Sequence, residues 1–208
     1  MIGMKVDRPT RDAHGAALLT AAEKLFRERG IEAVRIADVS AEAGLTHGAF
    51  YGHFASKAAL AEAACRDGLV QAAARWRRRA ARARAEGRDP LGGLIDRYLT
   101  EQHRDDPANG CVVGALGAEV ARAEPALRAA LAEGTAGLIA VLAEEISAAH
   151  PDAPTARVQA AAIATFAAML GGLDLARTLA PDPDASRTAL TAAAELARRA
   201  TVPLSQEE

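Results

Sequence analysis

The stretch VRIADVSAEAGLTHGAFYGHFASKAAL, Val34 to Leu60, decides how this chain is read. Its first part predicts a short helix over Ile36–Ala43, with Ile36, Val39 and Ala43 turned inward. Gly44 ends that helix, and Leu45 plugs the turn beneath it. A second short helix is predicted over His47–Phe54, with Phe50 and Phe54 on one face. At about 100° per residue, Gly48 and Gly52 fall opposite that face. His47 and Tyr51 flank them on one side, Ala49 and His53 on the other. Two short helices joined by a glycine turn, each with an inward apolar face, describe a helix-turn-helix, whose second helix enters the DNA major groove. Glycine inside a helix costs about 1 kcal/mol relative to alanine. Two glycines on one exposed face fit close approach of the helix backbone to DNA; loose, unselected surface is the plainer alternative.

Working outward, a helix is predicted over Asp12–Arg29, with Ala16, Leu19, Ala22 and Phe26 at steps of three and four. Gly30 suits a left-handed C′ position, followed by Ile31 packed on Phe26 in a Schellman motif. Ser56 is placed to N-cap a long helix running through Arg84, with Gly87 and Pro90 ending it. Further helices are expected over Leu91–His103, Cys111–Arg122, from Pro125 to about Ala149, over Pro154–Leu179 and over Ala185–Ala200. DDPANG and PDPD act as breaks, and VPLSQEE as a frayed tail.

Composition agrees with this pattern. Half of the 208 residues are apolar while aromatics make up 3%, so the core is built from alanine and leucine, the strongest helix formers. The expected fold is all-α with about nine helices: a helix-turn-helix DNA-binding domain over residues 1–57 and a helical effector-binding and dimerisation domain over 58–208. No apolar run reaches the roughly 18 residues of a membrane span. The N-terminus lacks the apolar stretch of a secretory signal, and Cys65 and Cys111 cannot form a disulfide framework, so cytoplasmic residence is expected. Residues 1–90 carry 16 Lys/Arg against 11 Asp/Glu, and residues 91–208 carry 9 against 16. A polyanionic partner is therefore expected for the first part alone. There is no glycine-rich phosphate loop, no carboxylate pair at catalytic spacing and no nucleophile elbow, so no catalytic residues and no cofactor are expected. His47 and His53 do not share a helical face and have no cysteine or carboxylate at ligand spacing, which argues against a metal site.

An amphipathic helix ending in Gly, then AEAGLT, then GAFYGHF and SKAAL, resembles the DNA-binding domain of the TetR family over about residues 12–62. The resemblance implies a dimeric, ligand-responsive transcription regulator, usually a repressor, on a palindromic double-stranded DNA operator. It further implies that Tyr51 and Lys57 reach phosphates, that Phe50 and Phe54 support the site from the core, and that His47 and Ala49 reach base edges. Thr46 caps the recognition helix and touches the backbone, Gly48 lies on the DNA-facing ridge, and His53 is a phosphate contact or a packed surface residue. Three positions depart from the family pattern. Arg35 replaces the hydroxyl residue that usually opens the second helix, and is itself expected at a phosphate. Ala37 stands where many members carry arginine, and Gly52 where a larger side chain is common.

In the C-terminal part, Ile163, Phe166, Leu170 and Leu173 form one stripe, and Ala161, Ala164, Ala168 and Gly171 form a second, small-residue face. Leu190, Ala193, Ala194 and Ala197 offer a matching surface. The resemblance implies that these two helices pair with their copies in a homodimer; a monomer burying both faces internally is the alternative. An effector pocket is expected among Trp76, Tyr98, His103, Cys111, Phe166 and Met169, with an apolar or aromatic small molecule as ligand. The arginine cluster at residues 75–84 is expected to be a solvated face pairing with acidic neighbours. Cys111 sits near a helix start, where the dipole promotes thiolate formation, so a thiol-based sensor of oxidants or electrophiles is one alternative function. A helical binder or scaffold with only non-specific DNA binding is another.

Overall fold

The computed structural model describes residues 8–201, and every regular element among them is helical. The order is α1 Arg8–Arg29, α2 Ile36–Glu42, α3 His47–Phe50, α4 Lys57–Ala85, α5 Pro90–Tyr98, α6 Glu101–Asp105, α7 Val112–Val120, α8 Pro125–Ala149, α9 Thr155–Thr178 and α10 Pro183–Arg199. A 3-10 turn, Pro107–Asn109, stands between α6 and α7. The expected frayed tail VPLSQEE lies outside the described residues.

Two boundaries differ from expectation for identifiable reasons. The segment predicted as one helix over Leu91–His103 breaks at Leu99, which is buried, and restarts where the Thr100 hydroxyl accepts the His103 amide at 3.1 Å. The recognition helix α3 ends at Phe50 rather than Phe54. Beyond it the chain continues as a tight turn, with Gly52 N–H on the Ala49 carbonyl and His53 N–H on that of Phe50, at 3.1 and 2.9 Å.

Three glycines, at 30, 44 and 87, are the described residues with positive φ. At Gly44 and Gly87 the helix closes as a full Schellman motif: Leu45 N–H returns to the Ser40 carbonyl, and Arg88 N–H to that of Ala83, both at 2.8 Å. The end of α1 does not. Gly30 N–H bonds the Phe26 carbonyl, which is the simpler αL closure, and Ile31 N–H is left over. A carboxylate from α7 takes it: Glu119 accepts from Ile31 N–H at 2.9 Å and from Glu32 N–H at 2.7 Å. The other side of the same turn is held by α4, whose Lys57 ammonium donates to the carbonyls of Ile31, Glu32 and Val34 at 2.9–3.0 Å.

The larger bundle is built from α4, α8, α9 and α10 around one continuous aliphatic core. Its alanine and glycine content permits backbones to approach closely. A Cβ on Gly172 of α9 would sit 2.0 Å from Ala193 Cβ of α10, and one on Gly134 of α8 would sit 2.4 Å from Leu69 of α4. Gly68, buried at the middle of α4, likewise admits Val112 of α7 and the Glu23–Arg27 pair of α1. Along the outside, Arg66, Arg77 and Arg84 of α4 pair with Glu133, Glu144 and Glu145 of α8. By length and composition α8 and α9 could each cross a membrane, but here they are packed members of this bundle.

The bundle also divides the residues expected at a dimer interface. Phe166, Leu173, Leu190 and Ala197 are at most 5% exposed and belong to the protomer's own core. Leu170 is half-buried against Gly114 of α7. Ile163 is exposed and Ala194 half-buried. Periodicity grouped Phe166 and Leu173, which are buried, with Ile163, which is exposed, and a stripe does not state whether its partner is another helix of the same chain.

Three outcomes follow for stability. Gly172→Ala should lower stability by about 2 kcal/mol, because overpacking outweighs the roughly 1 kcal/mol gained in helix propensity. Thermal unfolding should show the loss, and Ala193→Gly in the same chain should recover much of it. Gly137→Ala, which meets nothing within 4 Å, should instead raise the midpoint. Glu119→Ala should strip protection from the Ile31 and Glu32 amides in hydrogen exchange while leaving Gly44 and Leu45 protected; unchanged exchange at Ile31 would show that the carboxylate does not hold the turn.

Candidate DNA-binding surface and effector cavity

The recognition segment rests on Phe50, which is fully buried, and on Phe54, whose ring lies 5.9 Å from it. With that anchor fixed, helical geometry turns the opposite ridge outward. His47, Gly48, Tyr51 and Gly52 are all exposed, and Ala49 is half-buried. Tyr51 is 57% exposed, one of five large apolar side chains left in solvent among the described residues. Its ring stands edge-on to His47 at 5.6 Å, so these two residues share one flank as the spacing predicted. A Cβ on Gly48 would meet nothing within 4 Å. Nothing inside the chain requires glycine there.

The remaining expected contacts are placed as follows. His53 leans on α1: its ring lies 6.2 Å from that of His14, and its Nδ1 would be 3.3 Å from a Cβ on Gly15. Burial, with Arg11 and His14 nearby, lowers its pKa and keeps it neutral near pH 7. Arg11 also donates to the Gly52 carbonyl at 2.8 Å. Thr46 occupies the N-cap of α3 but makes no capping bond with its hydroxyl, which leaves that oxygen exposed. Arg35 caps α2 through Asp38, which accepts its backbone N–H at 2.9 Å and its guanidinium at 3.1–3.2 Å. The Arg35 guanidinium holds the Asp38 carboxyl below the usual range. Lys57 is the residue whose task differs most from expectation, since its ammonium gives all three protons to carbonyls of the α1–α2 turn.

A second site lies in the larger bundle. Trp76, Tyr98, His103 and Cys111 line a cavity of about 150 Å³ between α4, α5 and the α6–α7 segment. Phe166 stands behind it, its ring 6.2 Å from Trp76 and 6.4 Å from Tyr98. Met169 is fully buried in the core and does not line the cavity. His103 is held at both nitrogens. Nδ1 is 2.7 Å from the Tyr98 carbonyl, and Nε2 accepts the Cys111 N–H at 2.9 Å. That pair of bonds fixes the neutral tautomer with its proton on Nδ1, and burial lowers the ring's pKa in the same sense. Cys111 is the N-cap of α7. Cys65, by contrast, is buried, and its thiol is pushed up to about 11, so it stays protonated and inert.

Among the lining residues that sequence reasoning missed are the arginines 75, 79 and 97. A signal was present: Arg75, Trp76 and Arg79 sit at i, i+1 and i+4, one stripe of a helix. The even scatter of arginines around α4 obscured it. The segment that walls this cavity also reaches the DNA-binding end. Arg27 of α1 donates to the Ala108 carbonyl at 2.6 Å, and Glu119, eight residues beyond Cys111, holds the α1–α2 turn.

Comparison with known proteins finds matches in both parts of the chain. Residues 18–64 match the family described as bacterial regulatory proteins, tetR family, and residues 87–193 match the tetracyclin repressor-like C-terminal domain. The HTH-type transcriptional regulator TtgR of Pseudomonas putida is 44% identical over 48 residues, a match spanning 23% of each chain. Two solved structures share the fold across nearly the whole chain. Reduced NemR of E. coli superposes with a TM-score of 0.70 at 20% identity, covering 88% of this chain and 97% of its own. A TetR-family regulator from Streptomyces coelicolor gives 0.65 at 22% identity, covering 91% and 97%. The exposed ridge over a buried Phe50, the C-terminal helical bundle and these two family matches together assign the chain: it belongs to the TetR family of DNA-binding transcriptional regulators.

Proposed function

We propose that this regulator is a cytoplasmic homodimeric repressor that holds a palindromic operator and releases it when a small molecule enters the cavity at Trp76 and Tyr98. The observation that carries the DNA half of this reading is the solvent-facing ridge His47–Gly48–Tyr51–Gly52 over a fully buried Phe50. Gly48 brings the helix backbone close to base edges, His47 supplies a hydrogen-bonding group and Ala49 an apolar one. Tyr51 and Thr46 offer hydroxyls to phosphates, and the exposed Arg35 guanidinium is free to exchange Asp38 for a phosphate. Lys57 serves here by fixing the turn, leaving the amides at the start of α4 to face the DNA backbone.

Dimerisation is supported by what the bundle leaves exposed. Of the five large apolar side chains in solvent, Ile163 and Leu175 lie on α9 and Leu196 on α10. With the exposed Ala164, Ala167 and Gly171 they make a face suited to close helix contact. Two copies joined there set two recognition helices about one DNA turn, ~34 Å, apart. Release then follows if the ligand-bound bundle favours a different spacing, a population shift between two dimer geometries. A thiol-gated form of the same switch has its own support in Cys111, which lines the cavity and gives its backbone N–H to His103.

Footprinting of the purified protein on DNA flanking its own coding region tests the main reading. A protected palindrome is expected, and protection that falls uniformly with salt and shows no sequence preference would leave only a non-specific binder. Tyr51→Phe should keep the unfolding midpoint and weaken operator binding by the dimer roughly 10²–10⁴-fold, the scale of one charge-assisted hydrogen bond in each of two half-sites. Leu196→Glu should shift the protein to monomer in sedimentation and weaken operator binding at least about tenfold through loss of bivalency.

A further inference from the structure

The cavity's charge narrows the ligand further than its aromatic wall does. Arginines elsewhere on α4 have carboxylate partners: Arg66, Arg77 and Arg84 pair across to α8, and Arg82 pairs with Glu86. Arg75 and Arg79, which line the cavity, have no ion pair or hydrogen bond among the described residues. Arg97 across the opening has only the neutral Gln102 oxygen, at 2.9 Å. Arg78 is also unpaired but does not line the cavity. The one carboxylate in the wall, Asp106, is turned to its own loop, where it accepts from the Asn109 backbone and side chain. Three guanidiniums thus converge on one opening with no carboxylate hydrogen-bonded to any of them among the described residues. Burial lowers the pKa of Arg75, with Arg27 and Arg79 acting in the same sense and Glu23 against them. Deeper in, the Tyr98 hydroxyl is buried beside the Cys111 side chain.

We infer that the effector is a small aromatic carboxylate, its ring against Trp76 and Tyr98 and its carboxylate at the opening on Arg75, Arg79 and Arg97. The inference rests on the ligand-responsive reading above and names the class of ligand for that cavity. The volume sets the size. About 150 Å³ is room for one benzene-sized body, so a single ring fits against the aromatic wall with its charged group where the arginines stand. The ring gains edge and face contacts with Trp76 and Tyr98, whose centroids are 6.0 Å apart. The carboxylate gains bidentate guanidinium geometry, which a neutral amide of the same shape cannot match.

Trp76 is the chain's single tryptophan, so its fluorescence reports binding directly. Benzoate, its neutral isostere benzamide, and acetate are titrated into the full-length protein, and DNA binding by the ligand-free protein is measured separately. The inference expects saturable change with benzoate, binding of benzamide at least about tenfold weaker, and no response to acetate at the same concentrations. The double variant Arg75→Gln/Arg79→Gln should bring benzoate down to the benzamide level while its unfolding midpoint and ligand-free operator binding stay unchanged. Equal binding of benzoate and benzamide to the unaltered protein would overturn the charge assignment, and needs no variant to show it. Absence of saturable binding by either compound up to millimolar concentration would overturn the ligand class. In both cases retained operator footprinting would show that the regulator itself stands.

Discussion

The α1–α2 turn is the joint through which the two halves of the molecule hold each other. An α-helix ends with carbonyls and a following chain with amides that need partners. At Gly44 and Gly87 the chain satisfies them locally; at Gly30 it does not. Glu119 takes the two amides from α7, and Lys57 takes the three carbonyls from α4. The orientation of α2 and α3 relative to the bundle is thereby specified by charge-assisted hydrogen bonds from opposite directions. A Cβ at Gly30 would sit 2.9 Å from a Glu119 oxygen, so glycine there serves the backbone conformation and the approach of the carboxylate together.

The alanine-rich composition has a mechanical meaning. Small side chains stabilise little by burial individually, so stability in α8, α9 and α10 comes from helices lying close enough for backbone-to-backbone contact, as at Gly172 and Ala193. A bundle of that kind has few large side chains, and those it has are concentrated. Trp76, Tyr98, Phe166 and His103 form one aromatic group, and the cavity opens where these irregular shapes replace the regular alanine packing.

How much of this was legible in the sequence differs by element. The glycines at 30, 44 and 87, the Ser56 cap and the seating of Phe50 follow from local chemistry, and the structure has them where spacing put them. The early end of α3 was not legible, because the periodicity of His47–Phe54 is the same for a helix and for a turn that keeps Phe54 beneath Phe50. The assignment of Phe166, Leu173, Leu190 and Ala197 to an intermolecular face failed for a related reason: an apolar stripe specifies burial without specifying by what. Glu119 was invisible, since its partners are 87 and 88 residues away and nothing local marks a glutamate that reaches them. The cavity arginines were present in plain sight but needed the third dimension to separate them from their paired neighbours.

The long fourth helix carries Lys57 at one end and Trp76 nineteen residues on, about 28 Å away at 1.5 Å per residue. Between them Gly68 lets Val112 of α7 and the Glu23–Arg27 pair of α1 press directly on the rod. Were α4 to tilt ~5° about Gly68, each arm would move by roughly 1 Å in opposite senses, and an outward shift of Trp76 would carry Lys57, and the turn fastened to it, inward.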